Sequence, residues 1–72
     1  MGNHPNRGHP GPGSNPTPAL IIQGRTDAGL TQTEAAAVVH SSLRAWQQWE
    51  SGDRRMHPAF WNLFLLRTTE EK

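Results

Sequence analysis

The stretch that decides the fold is GLTQTEAAAVVHSSLRAWQQWESG, residues 29–52. Two runs of helix-forming residues flank VHSS in its centre. TQTE has the form of a capping box, in which Thr31 accepts from the Glu34 amide and Glu34 reaches back to the Thr31 amide. Ser42 is the better placed N-cap for the second run, which ends at Gly52. The stretch therefore predicts two short helices joined by a turn.

Each of these helices is expected to have one inner face. Ala35 and Val39 lie four residues apart with Ala36 beside them, and such small residues let another helix approach closely. In the second helix, Trp46 and Trp49 share one face. The residues that then point elsewhere are Leu43, Arg44, Gln47 and Gln48.

Further helices are predicted on both sides of the stretch. Thr17 is an expected N-cap and Pro18 a favourable first helical residue, in a helix that stops at Gly29. Gly24 should weaken that helix by roughly 0.5–1 kcal/mol relative to alanine. A last helix, PAFWNLFLLRT, begins at Pro58 and is apolar almost all the way round. The predicted fold is all-α, with four or at most five helices.

Residues 1–16 are predicted to form a disordered tail ahead of a helical domain at 17–72. MGNHPNRGHPGPGSNPTP holds five of the six prolines and four of the seven glycines, which disfavour both helix and strand. His4, Arg7 and His9 could contact a phosphate backbone. Because a single arginine makes a weak DNA-contacting arm, we favour a passive leader without a binding role.

Charge and composition exclude several classes of protein. Seven Lys and Arg stand against six Asp and Glu, so the formal charge is +1, and basicity alone does not argue for nucleic acid. Without cysteine there is no disulfide framework or thiolate zinc site. No apolar run approaches a membrane span or the core of a signal peptide. A cytoplasmic, nucleoid-associated protein without membrane contact is expected.

No catalytic or metal-binding pattern is visible. The chain has no nucleophile–base pair, glycine-rich phosphate loop or carboxylate pair, so an enzyme is not expected, nor is a cofactor or small-molecule ligand. No cysteine or carboxylate cluster accompanies the histidines, so no metal site is expected. The histidines are His4, His9, His40 and His57.

Residues 29–52 resemble the Cro and phage-repressor (Xre-type) helix-turn-helix family. The family pattern is close to G-L-T-Q-x-E-L-A-x-x-L-G-V-S-x-x-x-I-x-x-W-E-x-G and aligns here without a gap. Identical residues are Gly29, Leu30, Thr31, Gln32, Glu34, Ala36, Ser42, Trp49, Glu50 and Gly52. The resemblance implies a lambda-repressor-like DNA-binding domain, with small regulators of phages and mobile elements as its nearest type.

Three departures from the family pattern concern the turn and the core. His40 replaces a turn glycine that often needs positive φ, so a strained or shifted turn is expected. Ala35 and Trp46 replace leucine and isoleucine, and we interpret them as a compensating small–large pair. Ser41 replaces an apolar residue that normally packs inward, which should leave the turn less well pinned.

The resemblance also implies roles on DNA. The second motif helix would lie in the major groove, with Arg44 suited to guanine, Gln48 to adenine and Leu43 to a thymine methyl group. Family counterparts of Arg25 and Glu50 form a partly buried ion pair, so these two are assigned to structure. Predicted phosphate contacts are Gln32, Thr33, Ser41, Ser42, Arg54 and Arg55.

A single motif contacts few bases, so a homodimer on double-stranded DNA is expected. The apolar last helix is a candidate surface for that dimer or for another partner, and filling the core of the monomer is the alternative. Its residues are Phe60, Trp61, Leu63, Phe64 and Leu66. The expected function is sequence-specific DNA binding by a repressor. The alternatives are a protein-interaction module, such as an antitoxin or adaptor, and a fragment of a larger fold.

Overall fold

The computed structural model describes residues 15–69 and confirms the all-α prediction. The helices of this part are α1 (Pro18–Asp27), α2 (Gln32–Val38), α3 (Leu43–Ser51) and α4 (Pro58–Thr69). Most of the predicted tail, residues 1–14, lies outside the described residues. Asn15 and Pro16, assigned to the tail from sequence, contact the helical body. Pro16 is buried, and Asn15 Nδ2 donates to the Met56 carbonyl at 2.8 Å.

The predicted helix starts have the caps that the sequence indicates. Thr17 and Ser42 each accept a hydrogen bond from the amide three residues further on, at 3.2 and 3.1 Å. Thr31 and Glu34 form both halves of the capping box, at 3.1 and 2.9 Å. Each side chain satisfies an amide that has no partner inside its helix. Local sequence therefore sets where the helices begin.

The turn between α2 and α3 is left-handed at His40, where φ is 59°. This is the αL conformation that a glycine adopts without steric cost, and histidine is among the residues that tolerate it. Ser41 stabilises the turn by hydrogen bonds, which the sequence did not predict. Its amide and its hydroxyl both donate to the Ala36 carbonyl, at 2.9 and 3.4 Å. The polar substitution is thus compensated by hydrogen bonds.

The core lies between all four helices. Trp46 is fully buried, with ring centroids 5.6 Å from Trp49 and 5.2 Å from Phe64. Ala35 is fully buried in the same cluster. Met56, between α3 and α4, is also fully buried.

The apolar residues of α4 are divided between the core and the surface, the two roles that the sequence leaves open for them. Trp61 and Phe64 are only 5% and 0% exposed and belong to the core. Leu63 is partly buried against that core, whereas Phe60 and Leu66 remain exposed. Within residues 15–69, no helix has the length and apolarity that crossing a membrane requires.

Candidate nucleic-acid interface

The residues predicted to read bases lie along one side of α3. Leu43 is 40% exposed, Arg44 and Gln47 are exposed, and Gln48 is half-buried. They stay outward because Trp46 and Trp49 fix the opposite side of the helix in the core. α3 is therefore clearly amphipathic, with a polar outer face.

Arg44, Gln47 and Gln48 line one shallow depression together with Ser51 and Asp53. Asp53 was not predicted as a site residue. It follows the end of α3, and its amide donates to Ser51 Oγ at 3.3 Å. A carboxylate at this position suits the amino group of cytosine and repels a phosphate. Asp53 follows Gly52, the C-cap of α3, and this position in the sequence could have identified it as a site residue.

Glu50 joins three helices beneath this face. Arg25 of α1 donates to its two carboxylate oxygens from Nε at 2.5 Å and from Nη2 at 3.2 Å. This is the ion pair that the family resemblance implies. Gln32 Nε2 of α2 donates at 2.9 Å and Trp46 Nε1 of α3 at 2.6 Å. The last two contacts were not foreseen, although Trp46 and Glu50 are four residues apart on one helix.

The Glu50 carboxylate is held in its charged form. Its side chain is only 7% exposed, and burial raises the pKa of Glu50 because it disfavours the charge. Hydrogen bonds from Arg25, Gln32 and Trp46, with the charge of Arg25, outweigh burial, so the pKa lies below its ordinary value of 4.5. A charged Glu50 is therefore part of the folded structure at neutral pH.

Gln32 lies between this carboxylate and the surface. Its Nε2 faces Glu50, and its Oε1 accepts from Gln47 Nε2 at 3.4 Å. The predicted phosphate contact of this amide thus competes with two contacts inside the protein. Thr33, beside it in the first turn of α2, is exposed.

The other predicted phosphate contacts do not form one group. Ser41 is half-buried and its hydroxyl donates to the Ala36 carbonyl, whereas Ser42 is exposed. Arg54 and Arg55 are exposed, but they line a separate depression. Its other residues are Asn15, Pro16, Thr17, Pro18, Trp49 and Gly52. Positive charge thus lies on two sides of α3.

The described histidines are not arranged around a metal. Among residues 15–69, no group of three or more His, Cys, Asp or Glu side chains is arranged to hold an ion. His57 Nδ1 accepts from the Ala59 amide at 3.0 Å, near the start of α4. His4 and His9 lie outside the described residues.

One curated relative is similar to most of the chain. It is the Type II methyltransferase M.MspI of Moraxella sp, 38% identical over 55 residues. The alignment covers 76% of this chain and 13% of that protein, so the chain spans about an eighth of the relative's length. No family model matches the sequence. The resemblance to the helix-turn-helix family stays a prediction.

Proposed function

We propose that this chain is a sequence-specific DNA-binding domain of the helix-turn-helix type, acting as a small transcriptional repressor without chemistry of its own. The observation that carries the proposal is the outer face of α3. Leu43, Arg44 and Gln47 project from a helix whose opposite side is fixed in the core. A rigid helix with an exposed polar face is the element that such domains insert into the major groove.

The chemistry of this face matches base edges. The groove is about 12 Å wide and admits one α-helix. Arg44, in the first turn, offers the fork that pairs with O6 and N7 of guanine, and a glutamine amide pairs with N6 and N7 of adenine. Leu43 offers an apolar contact for a thymine methyl group. Each good bidentate pair discriminates by about 1–3 kcal/mol.

Contacts to the phosphate backbone would supply the remaining affinity. Thr33 lies in the first turn of α2, where free amides and the helix dipole favour an anion. Ser42 caps α3 through its oxygen lone pair, which leaves the hydroxyl proton available to a phosphate. Arg54 and Arg55 supply charge beyond the end of α3. Although the formal charge is only +1, DNA binding would depend on the positions of the basic residues more than on the net charge.

A homodimer is part of the proposal. One module contacts few base pairs, and two modules on half-sites about 34–36 Å apart gain affinity together. Leu66, 56% exposed, and Phe60, 38% exposed with its ring 5.3 Å from that of Trp49, are the α4 residues that such a dimer would bury.

A second candidate function is protein interaction without specific DNA reading. The observation that favours it is the exposed apolar surface of α4, where Leu66 is 56% exposed. Exposed Phe60 and Leu66 would provide the contact. In this case the chain serves as an adaptor.

Selection of bound duplexes from a random pool separates the two functions. A palindromic consensus, with an affinity that falls steeply with salt, supports DNA reading by a dimer. Arg44→Ala and Gln48→Ala should each relax preference at one base pair per half-site. Arg55→Ala is the matched control and should weaken all sequences about equally. If the wild-type chain enriches no sequence, the adaptor function replaces the proposal.

A further inference from the structure

The depression that Arg54 and Arg55 line lies at the end of α3. Its volume is about 470 Å³, within the range of about 300–1,000 Å³ that holds small-molecule ligands in proteins. Residues 15–18 form one wall, and the residues that follow α3 form the other. Asn15 joins the two walls, because its Nδ2 donates to the carbonyl of Met56 at 2.8 Å. The shape of the depression is therefore fixed by contacts within the domain.

The charge of this depression is wholly positive. Arg54 and Arg55 are both exposed, and none of the residues that line the depression with them is acidic. Within residues 15–69, neither arginine takes part in a salt bridge. Residues 1–14 contain one charged residue, Arg7, which has the same sign. The two guanidinium groups therefore call for negative charge from another molecule.

The rest of the lining is largely apolar. Pro16 and Pro18 contribute ring surfaces and have no N–H to donate, and Trp49 contributes the edge of an indole that is 6% exposed. The hydroxyl oxygen of Thr17 already caps α1. An anion in the depression would thus receive its hydrogen bonds from the arginines, while a flat apolar group attached to it would lie against the proline rings and the indole.

We propose that this depression binds a phosphate monoester carried on a flat ring system, of the class of a nucleoside monophosphate. Such a phosphate has a charge of about −1.5 to −2 at pH 7, which matches the two guanidinium groups. Arginine also pairs with phosphate through two parallel hydrogen bonds. A single carboxylate has half that charge and leaves one of the two arginines without a partner.

A consequence for regulation rests on the proposed function. There, Arg54 and Arg55 contact the phosphate backbone of DNA, so the nucleotide and the duplex would compete for the same two side chains. Contacts to the backbone carry no base preference. The bound nucleotide should therefore weaken binding to all sequences by a similar factor and leave the selected consensus unchanged.

The test is an NMR titration of the isotope-labelled full chain with AMP, without DNA and at constant ionic strength. The Gly52 amide and the Trp49 indole N–H should shift and saturate. Adenosine and inorganic phosphate should each bind at least about tenfold more weakly, because each lacks one half of the ligand.

Three variants assign the binding to the two arginines. Arg54→Gln and Arg55→Gln should each weaken AMP binding about tenfold, through the loss of charge-assisted hydrogen bonds. Arg67→Gln is the matched control. It removes the same charge from an exposed residue near the end of α4 that does not line the depression, and it should leave AMP binding unchanged.

The outcomes separate this site from the proposed function. AMP that binds no better than adenosine or inorganic phosphate would overturn the proposal, and so would equal weakening by Arg67→Gln, which indicates general attraction to positive charge. Both results leave DNA reading by α3 standing, because the titration contains no DNA. A chain that binds AMP but selects no duplex would keep the nucleotide site and lose the proposed function. Saturating AMP that leaves duplex binding unchanged would disprove the competition.

Discussion

α3 and α4 are similar on the sides that face the core and different on the sides that face solvent. Each turns two aromatic side chains, spaced three residues apart, into the core. They are Trp46 and Trp49 in α3, and Trp61 and Phe64 in α4. The two inner faces meet where the rings of Trp46 and Phe64 lie 5.2 Å apart.

The outer faces of the two helices differ in their exposed side chains. That of α3 exposes Arg44 and Gln47 beside Leu43, whereas that of α4 exposes Leu66 by 56% beside Asn62. Under the proposed function, the outer face of α3 would contact base edges and Leu66 of α4 would contact a second protein surface.

The largest expected effects come from breaking either inner face. Trp46→Ala in α3 and Phe64→Ala in α4 should each lower the free energy of unfolding by about 3–5 kcal/mol. A domain of this size has on the order of 3–8 kcal/mol in total. Both variants should therefore be largely unfolded at 25 °C, as measured by circular dichroism and urea titration. A variant that stays fully folded would show that its helix is dispensable to the core.

Removal of Glu50 should have the next largest effect. α3 contains this ion-paired carboxylate, whereas α4 contains no acidic residue. Glu50→Ala leaves Arg25 without its carboxylate, and we expect a loss of about 2–4 kcal/mol because Arg25 is partly exposed. Glu34→Ala is the matched control, since it removes an exposed carboxylate from a cap and should cost about 1 kcal/mol. Urea unfolding measures both. Equal losses would contradict a special role for Glu50.

Gly24 tests how closely α1 approaches α4. A Cβ at this position would lie 2.7 Å from Cη2 and 3.2 Å from Cζ3 of Trp61. Glycine to alanine normally stabilises a helix, but Gly24→Ala should destabilise this domain by about 1–3 kcal/mol through overpacking. Both clashing atoms belong to the indole ring, so Trp61→Phe should cost less in the Gly24→Ala background than in the wild type. Additive losses in urea unfolding would contradict the clash.

These cases show what the sequence can predict. Thr17, Thr31 and Ser42 were identified as caps because a cap depends only on the next few residues. Gly24 was interpreted as a weak point of its helix because nothing nearby in sequence reveals that Trp61 lies above it. Met56 was missed for the same reason, since its burial depends on distant helices.

The candidate site divides in the same way. The outward direction of Arg44 and Gln47 follows from helical periodicity around Trp46 and Trp49, so it was predictable. The contacts of Gln32 were not predictable. The family resemblance implied a phosphate contact for this residue, and helical periodicity does not determine which atom of its amide faces Glu50. Side-chain polarity in three dimensions decides that question.

Acid should remove the Glu50 contribution selectively. The pKa of Glu50 is lowered in the folded state, so its stabilisation is complete above its ordinary value of 4.5 and is lost as pH falls through the folded pKa. The stability difference between wild type and Glu50→Gln should therefore shrink below pH 4.5. Phe64→Leu in α4, a helix without acidic residues, should show a difference that does not change with pH. A constant difference for Glu50→Gln would contradict the assignment.

The smallest effect on stability is expected on the outer face of α4. Leu66→Gln replaces an exposed side chain and should change the free energy of unfolding by less than about 0.5 kcal/mol. If this face pairs two copies, the same change should weaken the dimer in sedimentation equilibrium, whereas exposed Asn62→Ala should not. Loss of the dimer should also weaken binding to a palindrome while leaving the half-site preference intact, because Arg44 and Gln47 are untouched. A Leu66→Gln chain that still dimerises would place the dimer contact elsewhere.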